Sequence, residues 1–257
     1  MTIKIIKPSA TTHLNMLFYG LTNAGKTHLC GTIAEVEEAT PALLLDIEGG
    51  TLTLSSMISD DSGLDVTRPR RWSEIQEIYD YFRHENDRYK CILVDSVTEV
   101  QRMLSMGNIM EELSGDAAYE DLGRAIAPER RDWLRSSEQM RKFFRAFRDL
   151  AYHPDEEKRV HVVITALEKM DEKKGLVCPQ LPGQLGVEAG SFVDILGRLS
   201  QVRVENEDGE IEERRHLLTD DHTDDVGTRY LAKNRGNKLG RGIWNPTMSK
   251  IIGAWSE

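Results

Sequence analysis

The chain has 257 residues, of which 39% are hydrophobic and 7% aromatic, and its 33 Lys and Arg against 43 Asp and Glu give a formal net charge of −10. That length and apolar content support a sizeable core, and the acidic balance excludes a protein that coats nucleic acid through its overall field, because phosphate binding draws on clustered Lys and Arg. No apolar run approaches the roughly 18 residues of a membrane span and no charged-then-apolar leader opens the chain, so a protein without membrane contact, in the cytoplasm, is expected.

In chain order, residues 14–19 form a short apolar run suited to a buried strand. They lead into Gly20-Leu21-Thr22-Asn23-Ala24-Gly25-Lys26-Thr27, which fits G-x-x-x-x-G-K-[ST], and residues 27–38 have helix-forming composition. Strand, glycine loop and helix in that order describe a cradle for a nucleotide triphosphate. Gly20 and Gly25 free the backbone to turn successive N–H groups of residues 20–28, His28 included, toward phosphate oxygens. Lys26 then reaches the β- and γ-phosphates, and the Thr27 hydroxyl helps to hold Mg²⁺. The plainer alternative is a glycine-rich turn carrying a surface lysine.

Further apolar runs at 42–47, 91–96 and 160–165 alternate with helical stretches at 73–84, 96–113 and 129–152. Strands covered on both faces make a mostly parallel sheet, so an α/β fold with helices on both faces is expected. Residues 199–204 and 214–218 flank an Asp208-Gly209 step and predict an antiparallel hairpin. A short strand at 228–232 follows, then the basic stretch 233–238, and a helix or tail after Pro246. One domain is expected over 1–257, with a core at about 14–200, the hairpin and basic element at about 198–240 and a tail at 241–257. Cys30, Cys91 and Cys178, odd in number and set in or beside apolar runs, read as reduced core thiols. The seven histidines are scattered without zinc spacing, so no structural metal is expected.

Asp95, closing the run Ile92-Leu93-Val94, has the pattern of a carboxylate that orients Mg²⁺ and its waters beside a bound nucleotide. Any buried strand ending at an acidic residue before a helix would look the same; Lys26 and Thr27 upstream favour the metal role. Glu48 lies just past a strand end, at the sheet edge where ligands bind in open α/β folds, and is placed to activate the water that attacks the γ-phosphate. Its alternative is an exposed acidic turn residue.

The set Gly20–Thr27, Asp46-Ile47-Glu48 and Leu93-Val94-Asp95-Ser96-Val97 resembles the RecA-type ATPase core. The resemblance implies that Glu48 is the catalytic base. Leu231-Ala232-Lys233-Asn234-Arg235-Gly236 resembles the K-x-R element of related replicative helicases, which implies that Lys233 and Arg235 reach the γ-phosphate held by a neighbouring subunit; a solvated basic loop is the alternative. Thr165-Ala166-Leu167 departs from the polar sensor ending in Asn-Gln usual in such proteins. With Leu181-Pro182-Gly183 and Phe192-Val193-Asp194, the compact chain looks most like the short phage-encoded RecA-like proteins, a group that includes single-strand annealing recombinases. The resemblance implies an ATPase using ATP and Mg²⁺, assembled with itself as a ring or filament, with single-stranded DNA and a single-strand DNA-binding protein as partners.

In such a core, DNA lies along loops after the third and fourth strands, here about 113–132 and 167–190. The second carries Lys169, Lys173 and Lys174 among glycines, a locally basic and mobile composition, alongside Glu168, Asp171 and Glu172. On 129–152 the arginines alternate with Trp133, Phe143, Phe144 and Phe147, which reads as aromatics in the core and arginines in solvent, or as an interface. Two other functions are compatible with the sequence: a nucleotide-switched adaptor without DNA activity, which the acidic balance favours, and a helicase-like motor.

Overall fold

The computed structural model describes residues 13–55, 57, 62–114, 127–205 and 209–256. Strand β1 (Asn15–Gly20) is buried along its whole length. It feeds α1 (Lys26–Gly31), which is shorter than the expected 27–38: beyond Gly31 the chain tightens into 3₁₀ turns at Thr32–Glu35 and Glu37–Ala39, with Val36 extended between them. Gly31 followed by the β-branched Thr32, Ile33 and Val36 is poor helical sequence, and Ile33 and Val36 spend their side chains in the core.

There follow β2 (Ala42–Asp46), β3 (Leu64–Thr67), α2 (Trp72–Asp80), β4 (Cys91–Asp95), α3 (Val97–Glu99), α4 (Met106–Ser114) and α5 (Arg130–Ala151). Next come β5 (His161–Asp171), β6 (Leu176–Pro179), α6 (Leu185–Phe192), β7 (Ile195–Glu205) and β8 (Ile211–Leu218). The short strands β9 (His222–Thr223), β10 (Arg229–Tyr230), β11 (Lys233–Asn234) and β12 (Gly242–Trp244) precede α7 (Met248–Ser256).

The sheet runs β12-β8-β7-β1-β5-β4-β2-β3 among the described residues. β1 is parallel to both β5 and β7, β4 to β5 and β2, and β2 to β3, while β8 and β12 run antiparallel at one side. The fold is therefore α/β, with a mostly parallel central sheet and a C-terminal antiparallel hairpin. Alternation along β1 shows how both faces are covered. Leu17 and Tyr19 point into the core beneath α5 and α6 with Phe82, Phe144 and Phe147, whereas Met16 and Phe18 point into the core beneath α1 and α7 with Leu29, Ile33 and Ile251.

The hairpin pairs in the expected frame, from Arg198↔Leu218 to Glu205↔Ile211; residues 206–208 of its turn lie outside the described residues. Several elements differ from expectation. β3 is an extra parallel strand. The fourth expected strand continues to Asp171 and folds back as β6, so residues 167–190 form a hairpin and α6 rather than an open loop. Of the loop expected at 113–132, residues 115–126 lie outside the described residues. On α5, Phe143, Phe144 and Phe147 are buried while Arg141 pairs with Glu188 and Glu138, and Arg148 with Asp149, so the three phenylalanines are core; Trp133, near the start of the helix, is instead 43% exposed. α7 docks rather than trailing: Met248, Ile251 and Ile252 are buried, and Met248 N donates to Thr32 Oγ1 (2.9 Å). All three cysteines are buried and free. No helix among the described residues is long and apolar enough to cross a membrane.

Candidate active site

The parallel strands deliver their carboxyl ends to one edge, and the expected groups gather there. Gly20 ends β1 where a Cβ would stand 2.2 Å from Leu199 O, so only glycine lets β7 approach. Gly25 has φ 96°, in the left-handed region, and Asn23 has φ 65°; these two reversals curl the loop back over itself. Lys26 is 6% exposed and donates from Nζ to Leu21 O (2.9 Å) and Gly20 O (3.2 Å), the carbonyls of its own loop. Burial holds its ammonium below the ordinary lysine range, against the pull of Glu48 and Asp95. A desolvated cation resting on carbonyls alone is a strong attractor for anionic oxygen.

Asp95 is fully buried at the end of β4. Its Oδ2 accepts from Thr27 Oγ1 (2.6 Å), and its Oδ1 accepts from Thr165 Oγ1 on β5, the strand between β1 and β4. Thr27 and Asp95 thus form a pair of hard oxygen donors of the kind Mg²⁺ takes while keeping most of its waters. Among the described residues no three His, Cys, Asp or Glu side chains cluster as a metal site.

β2 closes against β4 through Ile47 N and Glu48 N, which donate to Asp95 O (2.8 and 3.3 Å). This brings Glu48 beside the loop, with Ser96 Oγ donating to its Oε1. Partial desolvation of the side chain is the largest influence on the carboxyl and raises it above the usual carboxylate range; the Ser96 hydrogen bond pulls it down. Glu48 lines a cavity of about 630 Å³ whose walls include Arg68, Arg70, Trp72, Met103 and Asn108. Asp46 also lines this cavity, but its carboxylate is engaged: it accepts from Gly50 N, Thr51 Oγ1 and Arg68 Nε and pins the turn that carries Glu48.

Other expected residues lie elsewhere. Lys233, on β11, donates to Gly190 O and Val193 O (2.7 and 2.6 Å), and Arg235 pairs with Asp194 (3.0 Å), so both cations are held within their own chain at the far end of α6. Lys169 lies on β5 and donates to Leu181 O and Gly183 O. Lys173 and Lys174 are exposed at the tip of the β5–β6 hairpin, where Lys174 pairs with Asp171 (3.6 Å). The lysines are therefore mounted on an ordered hairpin instead of a mobile loop. The roles of Ser96 and Thr165 are not written in the sequence: hydroxyls have no pattern of their own, and each contact depends on how neighbouring strands align.

A loop closed around a buried lysine, with its hydroxyl in contact with the carboxylate that ends a strand two places over, makes this a P-loop NTPase. The chain belongs to the AAA domain family, whose profile matches residues 12–235. No curated protein sequence matches it. Among solved structures it is similar to the RadB recombinase, with a TM-score of 0.45 and 12% identity over 81% of this chain and 80% of that one. It is also similar to an ATPase from the type III secretion system of pathogenic bacteria, with a TM-score of 0.47 and 17% identity over 73% of this chain and 52% of that one. A third similarity is to the flagellar accessory protein FlaH from Methanocaldococcus jannaschii, with a TM-score of 0.42 and 9% identity over 80% and 76% of the two chains.

Proposed function

We propose that the protein is a Mg²⁺-dependent, RecA-like ATPase of the cytoplasm that assembles with copies of itself, binds single-stranded DNA and promotes annealing or recombination. The observation that carries the ATPase reading is the convergence of Lys26, Thr27, Asp95 and Glu48, from three separate strands, on one sheet edge. Bound Mg²⁺ neutralises phosphate charge and orients the phosphates. Thr27 and Asp95 would hold it, and Thr165 fixes the Asp95 carboxylate. Lys26 exchanges its loop carbonyls for phosphate oxygens. Glu48, wet on its cavity side and hydrogen-bonded by Ser96, takes the proton of the attacking water. Arg235 and Lys233 complete a neighbour's site on leaving their own-chain partners.

Removing the Ser96 hydroxyl tests the base. Ser96→Ala deletes the bond that favours ionised Glu48, so its pKa rises further. Since hydrolysis needs the carboxylate, activity falls as pH drops through that higher value. The acidic limb of kcat should move to higher pH while the plateau above it stays; an unmoved limb removes Glu48 or its Ser96 contact from the mechanism.

Support for DNA is the lysine-bearing hairpin tip. The measurement is the ATPase rate with and without single-stranded DNA at two salt concentrations, alongside binding. Stimulation, with binding that weakens steeply as salt rises, is expected. A nucleotide-switched adaptor, which the net charge of −10 favours, predicts neither binding nor stimulation.

A further inference from the structure

Arginines in this acidic chain are mostly answered by carboxylates: Arg68 by Asp46, Arg88 by Asp65, Arg135 by Glu112, Arg198 by Glu168 and Arg229 by Asp221. Arg215, on β8, departs from that pattern. Its Nε is shut off from solvent and has no hydrogen-bond partner among the described residues. A charged donor buried without an acceptor is costly, and a structure retains one where a ligand supplies the acceptor. The guanidinium lies directly on the phosphate loop: a Cβ at Gly25 would stand 2.4 Å from Nε and 3.0 Å from Cζ. Its base is rigid. Arg215 is paired with Gln201 in the β7–β8 ladder, and on the other side Asn245 brackets its backbone, N donating to Arg215 O (2.7 Å) and Oδ1 accepting from Arg215 N (3.2 Å).

The sheet order says which part of a nucleotide would meet it. Glu48 and Asp95 stand at the ends of β2 and β4, on the β5 side of β1, and Arg215 comes from β8, on the β7 side. A triphosphate with its γ end toward Glu48 crosses the loop with its α end toward β7 and β8.

We propose that Arg215 is a nucleotide ligand acting within its own subunit, its guanidinium taking α- and β-phosphate oxygens from the hairpin side of the loop. The assignment rests on nucleotide binding at the Gly20–Thr27 loop and adds a second, differently mounted cation to Lys26. It makes the C-terminal hairpin part of the nucleotide site.

The test is equilibrium binding of ADP and ATP to the full chain and to Arg215→Ala, Arg215→Gln and Arg215→Lys, with nucleotide-free unfolding midpoints as the folding control; the Gln variant serves if the Ala variant does not fold. Loss of a charge-assisted phosphate contact should weaken ADP and ATP alike, by roughly ten- to a hundredfold, and Lys should recover most of it. Three outcomes overturn the proposal: ADP affinity within about twofold of the parent, a loss confined to ATP, or a loss that Lys does not recover at all, which would mark packing on Gly25 rather than charge. If the parent chain itself binds neither nucleotide, the nucleotide reading falls and takes this one with it; a parent that binds while the variants bind equally removes Arg215 alone.

Discussion

Glu48→Gln is expected to bind ATP as tightly as the parent and to turn it over roughly 10²- to 10⁴-fold more slowly, the range a positioned general base supplies. The amide is nearly isosteric with the carboxylate and keeps an oxygen to accept from Ser96 Oγ. The turn is fixed independently, by Asp46 and by the Ile47 and Glu48 N–H groups on Asp95 O. What is lost is the proton affinity of the carboxylate. Single-turnover phosphate release measured beside equilibrium ATP binding separates the two, and unchanged turnover would leave the water activated by some other group.

Lys26→Ala should abolish the stabilisation that nucleotide confers. A ligand at a hundred times its Kd stabilises by about 2.7 kcal/mol, which for a domain of this size is a rise in Tm of roughly 5–10 °C. The variant should show no rise with ATP and Mg²⁺, because a methyl group cannot replace an ammonium already stripped of water and resting on loop carbonyls. A full shift would place the phosphates elsewhere. The same variant, mixed with Arg235→Ala subunits, should regain activity through sites that combine one intact loop with one intact arginine; no recovery in a mixture shown to co-assemble would sink the shared site.

Much of this was legible in the sequence where a motif coincided with a strand end. Gly20–Thr27, Glu48 and Asp95 each follow an apolar run, and a parallel sheet must bring such ends to one edge, so their meeting needed no knowledge of register. β6 was hidden because four apolar residues preceded by Lys173-Lys174-Gly175 read as a basic loop, yet the same glycine turns a hairpin. β3, Leu64-Asp65-Val66-Thr67, alternates apolar and polar residues over only four positions, too short a run to stand out. Arg215 was the hardest to see, since its meaning depends on the β7–β8 register and on a glycine 190 positions earlier in the chain. Lys233 and Arg235 were visible as a motif, but their carbonyl and carboxylate partners are contributed by the α6 end and could not be read from it.

The Asp194 contact bears on how readily Arg235 can leave. Asp194 is 4% exposed, yet besides the arginine it accepts from Asn15 N (3.2 Å) and from Tyr152 Oη (2.8 Å). Departure of the guanidinium therefore strands no bare charge, and because the Arg235 side chain is 57% exposed, water takes over its hydration at once. Breaking such a pair costs on the order of 1 kcal/mol, less than a strong phosphate contact returns. If Arg235 serves a neighbouring site as proposed, Asp194 would thus be a low-cost parking place, holding the arginine within its own chain and surrendering it to a better acceptor at only that small cost.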